Sequence, residues 1–242
     1  MSMPFYVSPE QLMKDRADYA RKGIARGRSV IVSTFDDGIV FVTENPSRAL
    51  HKISEIYDRI GFAAVGKYNE FEALRVAGIR YADLRGFSYD RTDVIARGLA
   101  NAYAQTLGTA FTTESKPQEV ELVVAQAGTA SAQDQMYRIS FDGSVAEEHD
   151  FIVMGGQAEV LHALLGKTWR GDMTLPEILT MIHRVLSITA INAEGAVTVT
   201  NLPVTSLEVA VLDRTKPRRL FRRLLPAQLE PLITLETTET AQ

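Results

Sequence analysis

Apolar positions fall along this chain in short, dense runs separated by turn residues, with longer stretches of helical spacing between them. The most legible run is RSVIVSTFDDGIVFVTEN, residues 28–45, where two Val/Ile/Phe-rich segments flank the turn dipeptide Asp37-Gly38. This spacing predicts a hairpin of strands over about 29–35 and 39–44. Further strands are expected over about 50–57 and 60–66, then Glu119–Ala127, Gln135–Phe141 (followed by an Asp142-Gly143 turn), Phe151–Met154 and Leu207–Asp213. Two helices separate the strand runs, one marked by Phe71, Leu74, Gly78 and Tyr81 and one by Ile95, Leu99, Ala102, Tyr103 and Thr106. Two more follow at Gln157–Leu165 and Pro176–Leu186, the latter introduced by the capping box Thr174-x-x-Glu177. Ahead of all these, Ser8-Pro9-Glu10-Gln11 opens a helix that ends near Gly27. Its apolar stripe of Met13, Ala17, Ala20 and Ile24 is thin, which suggests a helix lying against a neighbour rather than one sunk in a core.

Strand runs alternating with helix pairs favour antiparallel sheets with helices outside over a doubly wound parallel sheet. The expected architecture is α+β: a four-layer α-β-β-α sandwich of two antiparallel sheets with a helix pair on each outer face, plus the N-terminal helix. At 242 residues, 45% hydrophobic and 23% charged, the chain can build a sizeable core, and nothing in it forces a division into two domains. A net charge of −4 argues against wholesale nucleic-acid binding, and the absence of cysteine excludes disulfides, thiolate metal sites and cysteine catalysis. No basic segment followed by an apolar core opens the chain, and no apolar run approaches the roughly 18 residues of a membrane span, so a cytoplasmic protein is expected.

Candidate chemistry is sparse. His51, His149, His162 and His183 show no paired metal-ligand spacing, so neither a metal nor another cofactor is expected, and His162 and His183 read as surface or satisfied core groups. Met154-Gly155-Gly156 ends a strand and opens a helix, either as a structural turn or as a phosphate cradle that lacks the rest of any known glycine-rich motif. Arg214, Lys216, Arg218, Arg219, Arg222 and Arg223 form the one dense basic cluster. It reads either as a solvated terminal helix with Leu220, Phe221, Leu224 and Leu225 packed down, or as a nucleic-acid patch short of stacking aromatics. The Thr/Glu-rich end, within a tail over 226–242, reads as disordered.

The run from SPEQLMKDRADYARKGIARGRSV through ENPSRALHKISEIYDRIGFAAVGKYNEF resembles proteasome α-subunits of the actinobacterial type. The similarity continues in GFSYDRTDVIARGLANAYAQTLGTAF, SKPQEVELVVAQ, YRISFDGS, FIVMGG and SLEVAVLD, and covers about residues 2–225 as a single domain. The resemblance implies the sandwich fold of the N-terminal nucleophile hydrolases and a place in a heptameric α-ring that caps rings of proteolytic β-subunits. It also implies unfolded protein substrates, tagged in actinobacteria with a small ubiquitin-like modifier and delivered by a ring-shaped ATPase, with no nucleic acid or membrane involved.

The same resemblance assigns expected roles. Counting back from Gly38 puts the threonine nucleophile of catalytic β-subunits on Arg28, whose guanidinium carries no attacking oxygen. Glu44 falls on their acidic helper, Lys52 on their lysine, and Gly156 on the serine of their later turn, so these positions are expected to be a vestigial site and the chain not an enzyme. Lys52 also matches the α-subunit lysine that receives the C-terminal carboxylate of a docking activator. The segment Met3, Pro4, Phe5, Tyr6, Val7, Ser8 and Pro9 is expected to act as a pore gate over residues 1–7 and the start of the helix, and Tyr19 with Pro9 resembles a gate-stabilising pair. Met13, Ala17, Tyr19, Ala20 and Ile24 belong to a helix (8–27) expected to contact the ring. The alternative from another class is a hydrolase that cleaves itself before Ser29 and uses that serine as its nucleophile.

Overall fold

The structure is a computed structural model and describes residues 8–47, 49–191 and 197–233. Its first helix, α1 (Pro9–Ala25), begins where Ser8 Oγ accepts the Gln11 amide and Pro9 occupies the first turn. Gln11 does not return the favour as the S-x-x-Q reading expects, because its side chain donates to Asp15 at 2.7 Å instead.

Two five-stranded antiparallel sheets follow. One joins β1 (Val30–Phe35), β2 (Gly38–Glu44), β8 (Phe151–Met154), β11 (Leu207–Asp213) and β12 (Phe221–Leu224) in the order β12-β11-β2-β1-β8. The other joins β3 (Ile53–Tyr57), β4 (Ile60–Gly66), β5 (Val120–Gln126), β6 (Gln135–Ile139) and β7 (Val145–Glu148) in sequence order. The hairpin between β1 and β2 pairs Phe35 with Gly38, so Asp36-Asp37 forms the loop. Gly38 has φ +150°, and a Cβ there would lie 1.8 Å from the Leu212 carbonyl oxygen of β11, so no other residue fits this entry into the sheet.

The sandwich layers follow from strand alternation. Val30 and Val32, Ile39 and Phe41, Val123 and Ala125, and Ala210 and Leu212 point into the space between the sheets. Their neighbours Ile31, Val40, Val42, Val209 and Val211 point outward under α4 (Ala158–Thr168) and α5 (Leu175–Leu186). Phe62, Leu122 and Val124 do the same under α2 (Tyr68–Ser88) and α3 (Ala96–Thr113). Strands covered on both faces need apolar side chains at consecutive positions, which is why these runs are continuous rather than alternating. The expected four-layer α-β-β-α architecture is the one observed. The capping box at Thr174 and Glu177 is also present, with Thr174 N–H donating to Glu177 at 2.8 Å.

Four expectations need correction. Ala20 and Ile24 of α1 are buried in the core between the sheets, so the helix seals one end of this chain's own sandwich. The basic segment is not a helix: Phe221–Leu224 is an edge strand paired antiparallel with β11, with Arg222 exposed and Leu224 buried. Strand β7 and the hairpin of β9 (Ile188–Ile191) with β10 (Val197–Val199) have no counterpart among the expected elements, being short and carrying few periodic positions. The tail expected to be disordered from residue 226 begins with a short helix, α6 (Pro226–Leu229), and both Leu229 and Ile233 are buried against the α4–α5 side. Residues 234–242 lie outside the described part.

Candidate functional site

The end of the sandwich sealed by α1 gathers the residues singled out above. Helix α1 closes on Arg26, the Gly27 amide donates to Ile24 O at 3.0 Å, and Arg28 then stands two residues ahead of β1. Its Nε lies 3.2 Å from Glu44 Oε2 at the end of β2, an ion pair whose side chains are 50% and 32% exposed. Opposite them, the turn after β8 is drawn in by the Gly156 amide, which donates to Gly27 O at 3.1 Å. A Cβ at Gly156 would sit 2.3 Å from the Ala25 carbonyl oxygen. A serine therefore has no room at this turn, because the C-terminal end of α1 occupies the space.

Lys52 lies one residue ahead of β3, on the other sheet, and its ammonium donates across the gap to Arg28 O at 3.0 Å. Burial of the stem pushes its pKa below the ordinary lysine value of 10.5, and the Arg28 charge pushes the same way. Glu208 and Glu44 oppose that shift.

Glu208, on β11, is buried and accepts four hydrogen bonds. Its Oε2 takes the Asn45 side-chain amide at 2.6 Å and the Lys52 N–H at 3.1 Å, while Oε1 takes the Ile53 N–H at 3.2 Å and the Arg223 guanidinium. Burial alone would raise the Glu208 pKa, but the hydrogen bonds from Asn45, the Lys52 backbone and Arg223 outweigh it and hold the carboxyl below its usual value. Arg223 in turn donates to Ile53 O at 2.7 Å, and His51 Nδ1 lies 3.3 Å from Glu208 Oε1.

Arg28, Glu44 and Gly156 line a cleft of about 400 Å³ together with Arg26, Gln157, Leu161 and Leu186, among others, and Lys52 reaches this lining through its bond to Arg28 O. Its lining carries the guanidinium groups of Arg26 and Arg28, the Glu44 carboxylate and the apolar Leu161, Leu186 and Ile188. Chemically, the arrangement suits an anion such as a carboxylate. The first hydroxyl in β1's approach, Ser29 Oγ, belongs to a buried residue, and no carboxylate or imidazole is hydrogen-bonded to it among the described residues. No cluster of three or more His, Asp or Glu among the described residues is placed to hold a metal, and none of the described helices is long and apolar enough to cross a membrane.

The remaining expected residues are dispersed. Met3, Pro4, Phe5, Tyr6 and Val7 lie outside the described residues. Pro9 and Tyr19 sit on one helix, about 15 Å apart along its axis, so they do not meet within one chain. Tyr19 is half exposed, with Lys116 Nζ 5.6 Å from its ring centre, and donates to Glu119 at 3.4 Å. Met13 is exposed, whereas Ala17 is half buried against the inter-sheet core. In the basic cluster, Arg214, Arg219, Arg222 and Arg223 each pair with a carboxylate of this chain, which weakens the nucleic-acid reading. His183 is buried, with Nε2 2.8 Å from Leu202 O, which makes it the satisfied core group of the two readings, surface or core, expected for it.

Sequence reasoning missed Glu208, Asn45 and Arg223. The signal was faint: Glu208 is a lone acid inside the apolar run Leu207–Asp213, at a position whose parity matches the inward-facing Ala210 and Leu212. A charge there must be paired, and that alone would have marked it.

Comparison with known proteins adds the family. Residues 24–200 match the family model described as "Proteasome subunit". The chain is 68% identical to "Proteasome subunit alpha" of Sanguibacter keddieii over 96% of its length and 90% of the relative's. It is 67% identical to the protein of that name from Xylanimonas cellulosilytica (95% of each chain) and 58% identical to that of Streptomyces coelicolor (96% and 91%). With its sandwich fold and a match spanning most of its length, the chain belongs to the proteasome subunit family.

Proposed function

We propose that the chain is a non-catalytic α-ring subunit of a cytoplasmic proteasome core. In this reading it forms a heptameric outer ring on β-subunits that carry the threonine nucleophile. It gates the entry of unfolded, tagged proteins and receives the C-terminus of a ring-shaped ATPase at Lys52. The observation that carries the reading is the head of β1. Where a nucleophile would need a free amine and a hydroxyl, Arg28 follows a 17-residue helix, and that helix fills the space a serine would take at position 156. Lys52, relieved of any catalytic partner, keeps an ammonium bonded to the carbonyl of Arg28, a residue that lines the cleft. Leu84, Phe87 and Tyr89, 68%, 91% and 74% exposed near the end of α2, give the apolar surface that an assembly would cover.

The alternative, self-cleavage before Ser29, has one observation in its favour: Lys52 donates to the carbonyl that would be attacked. It lacks a base for Ser29, and Gly156 offers no hydroxyl.

The test is native mass and peptide hydrolysis for the chain alone and mixed with the β-subunit from the same organism. The expected results are an intact N-terminus, no peptidase activity alone, and a ring complex with the β-subunit that hydrolyses bulky peptides faster once Ser2–Val7 is deleted. A chain lacking residues 1–28, with activity that vanishes on Ser29→Ala, would overturn the reading in favour of the alternative. Unchanged hydrolysis across the deletion would remove the gate from it.

A further inference from the structure

We propose that Glu208 is the positioning residue for Lys52: a carboxylate on one sheet that holds the head of β3, on the other sheet, so that the lysine stands ready beside Arg28. The inference rests on the reading of Lys52 as the residue that receives an activator's terminal carboxylate.

The geometry behind it is one of complete occupancy. A carboxylate offers about four acceptor sites, and here all four are used. Two of the donors are the consecutive backbone amides of Lys52 and Ile53. A third, the Asn45 amide group, also donates to Leu50 O at 2.8 Å and so ties down the loop that leads into Lys52. The fourth, Arg223, closes the ring by donating to Ile53 O. Lys52 precedes the strand, and its carbonyl takes a sheet-like bond from the Ala64 amide at 3.1 Å. Without Glu208 the residue would be fixed on one side only, and a four-carbon stem on a loosened backbone loses its aim.

The charges facing the ammonium are Arg28 on the approach to β1, Glu44 on β2 and Glu208 on β11, with Arg223 and His51 bearing on Glu208 itself. Of the two acids, Glu208 gives Lys52 the larger support against burial and against Arg28. Removing that charge lowers the Lys52 pKa further, so the ammonium, and any docking that needs it, is lost at a lower pH than in the wild type.

The experiment uses assembled αβ complexes and a fluorescent peptide bearing the C-terminal sequence of the ring ATPase from the same organism, as the free acid and as the amide. In the wild type the acid binds more tightly than the amide, and Lys52→Ala abolishes that preference. Glu208→Gln weakens acid binding by roughly tenfold near neutral pH, a loss of about 1.4 kcal/mol. It also moves the alkaline fall-off of binding, followed from about pH 7 to about pH 10, to lower pH. Because Glu208→Gln leaves Arg223 without its partner, a second variant combining Glu208→Gln with Arg223→Gln removes both charges. A merely structural role predicts that this pair regains binding along with thermal stability. The positioning role predicts regained stability with weak binding and the lowered alkaline limb retained. If acid and amide bind equally, or Lys52→Ala binds like the wild type, the docking reading itself fails. If Lys52→Ala weakens binding while Glu208→Gln leaves affinity and pH profile unchanged, docking at Lys52 stands and the role of Glu208 falls.

Discussion

Strand β11 carries a buried ionic group to the opposite sheet at each of its ends, and the two ends do different things with it. Just past its C-terminal end, Arg214 meets Asp134, at the head of β6, in a two-pronged pair whose side chains are 10% and 3% exposed. The same pair closes on itself: Asp134 also takes the Gly128 amide at 2.8 Å, and Arg214 donates to Gly128 O at 3.2 Å. Near its start, Glu208 likewise bridges the sheets, but it spends two of its acceptor sites on the backbone that carries Lys52. One end is a fastening and nothing more. The other is a fastening that also holds Lys52, whose ammonium bonds the carbonyl of cleft-lining Arg28. Buried charge by itself is weak evidence of function, since both ends have it; what separates them is whether the network closes on itself or also fixes the backbone of a further charged residue.

The sharpest way to break this comparison is to remove the pure fastening. Asp134→Ala leaves the Arg214 guanidinium buried without its partner, which costs about 3–5 kcal/mol. For a chain of this length that is about 6–20 °C in Tm, measured by thermal unfolding of the purified protein at fixed concentration. Complexes that still assemble should bind the free-acid peptide as the wild type does. Weakened peptide binding with assembly intact would mean the two ends are coupled, and the division between fastening and site would not hold.

The fold was largely legible because burial on both faces writes itself into continuous apolar runs. Residues 30–35, 38–44 and 207–213 could be read as strands from composition alone. What escaped was structure that buries little or only one face. Strand β7, Val-Ala-Glu-Glu, is an edge with two exposed positions. Strand β12 sets two adjacent arginines between Phe221 and Leu224, and its charge density suggested a solvated helix where ion pairs with Asp213 and Glu208 hold a strand. In α1 the short apolar stripe understated burial, because an alanine such as Ala20 can be fully enclosed without announcing it. The site was legible only in part. Arg28, Glu44, Lys52 and Gly156 were placed by resemblance and are brought to one end of the sandwich, but the acid that organises them is separated from Lys52 by 156 positions. No local spacing can encode that contact.

A smaller effect tests the backbone around the site. Gly156→Ser forces a Cβ against Ala25 O, so the end of α1 or the turn after β8 must move, at a cost of about 1–3 kcal/mol. The expected result is a Tm lowered by about 2–12 °C, with no peptidase activity gained. An unchanged Tm would show that the α1 terminus yields easily and does not seal this corner. The comparison between a rigid fastening and a poised site would then lose its third wall.

The smallest effect is the most discriminating, because it separates charge from placement. Glu44 and Glu208 both support the Lys52 charge, yet the Glu44 side chain pairs with half-exposed Arg28 rather than with the backbone at the head of β3. Exposed pairs of this kind are worth about 0–1 kcal/mol, so Glu44→Gln should leave Tm within about 2–4 °C of the wild type. At neutral pH its effect on docking has two opposing parts. Lys52 loses a minor support, and Arg28 is released to face the incoming carboxylate, where a guanidinium can donate to two oxygens at once. Lys52 keeps the larger support of Glu208, so the second part prevails near pH 7. Free-acid peptide binding should be unchanged or tighter by up to about threefold, a gain of about 0.7 kcal/mol. Glu208→Gln removes the same formal charge and is expected to weaken binding instead. If the two variants weaken docking alike, net negative charge near Lys52 is what matters, and the hydrogen bonds from Glu208 to the β3 backbone are incidental to the site.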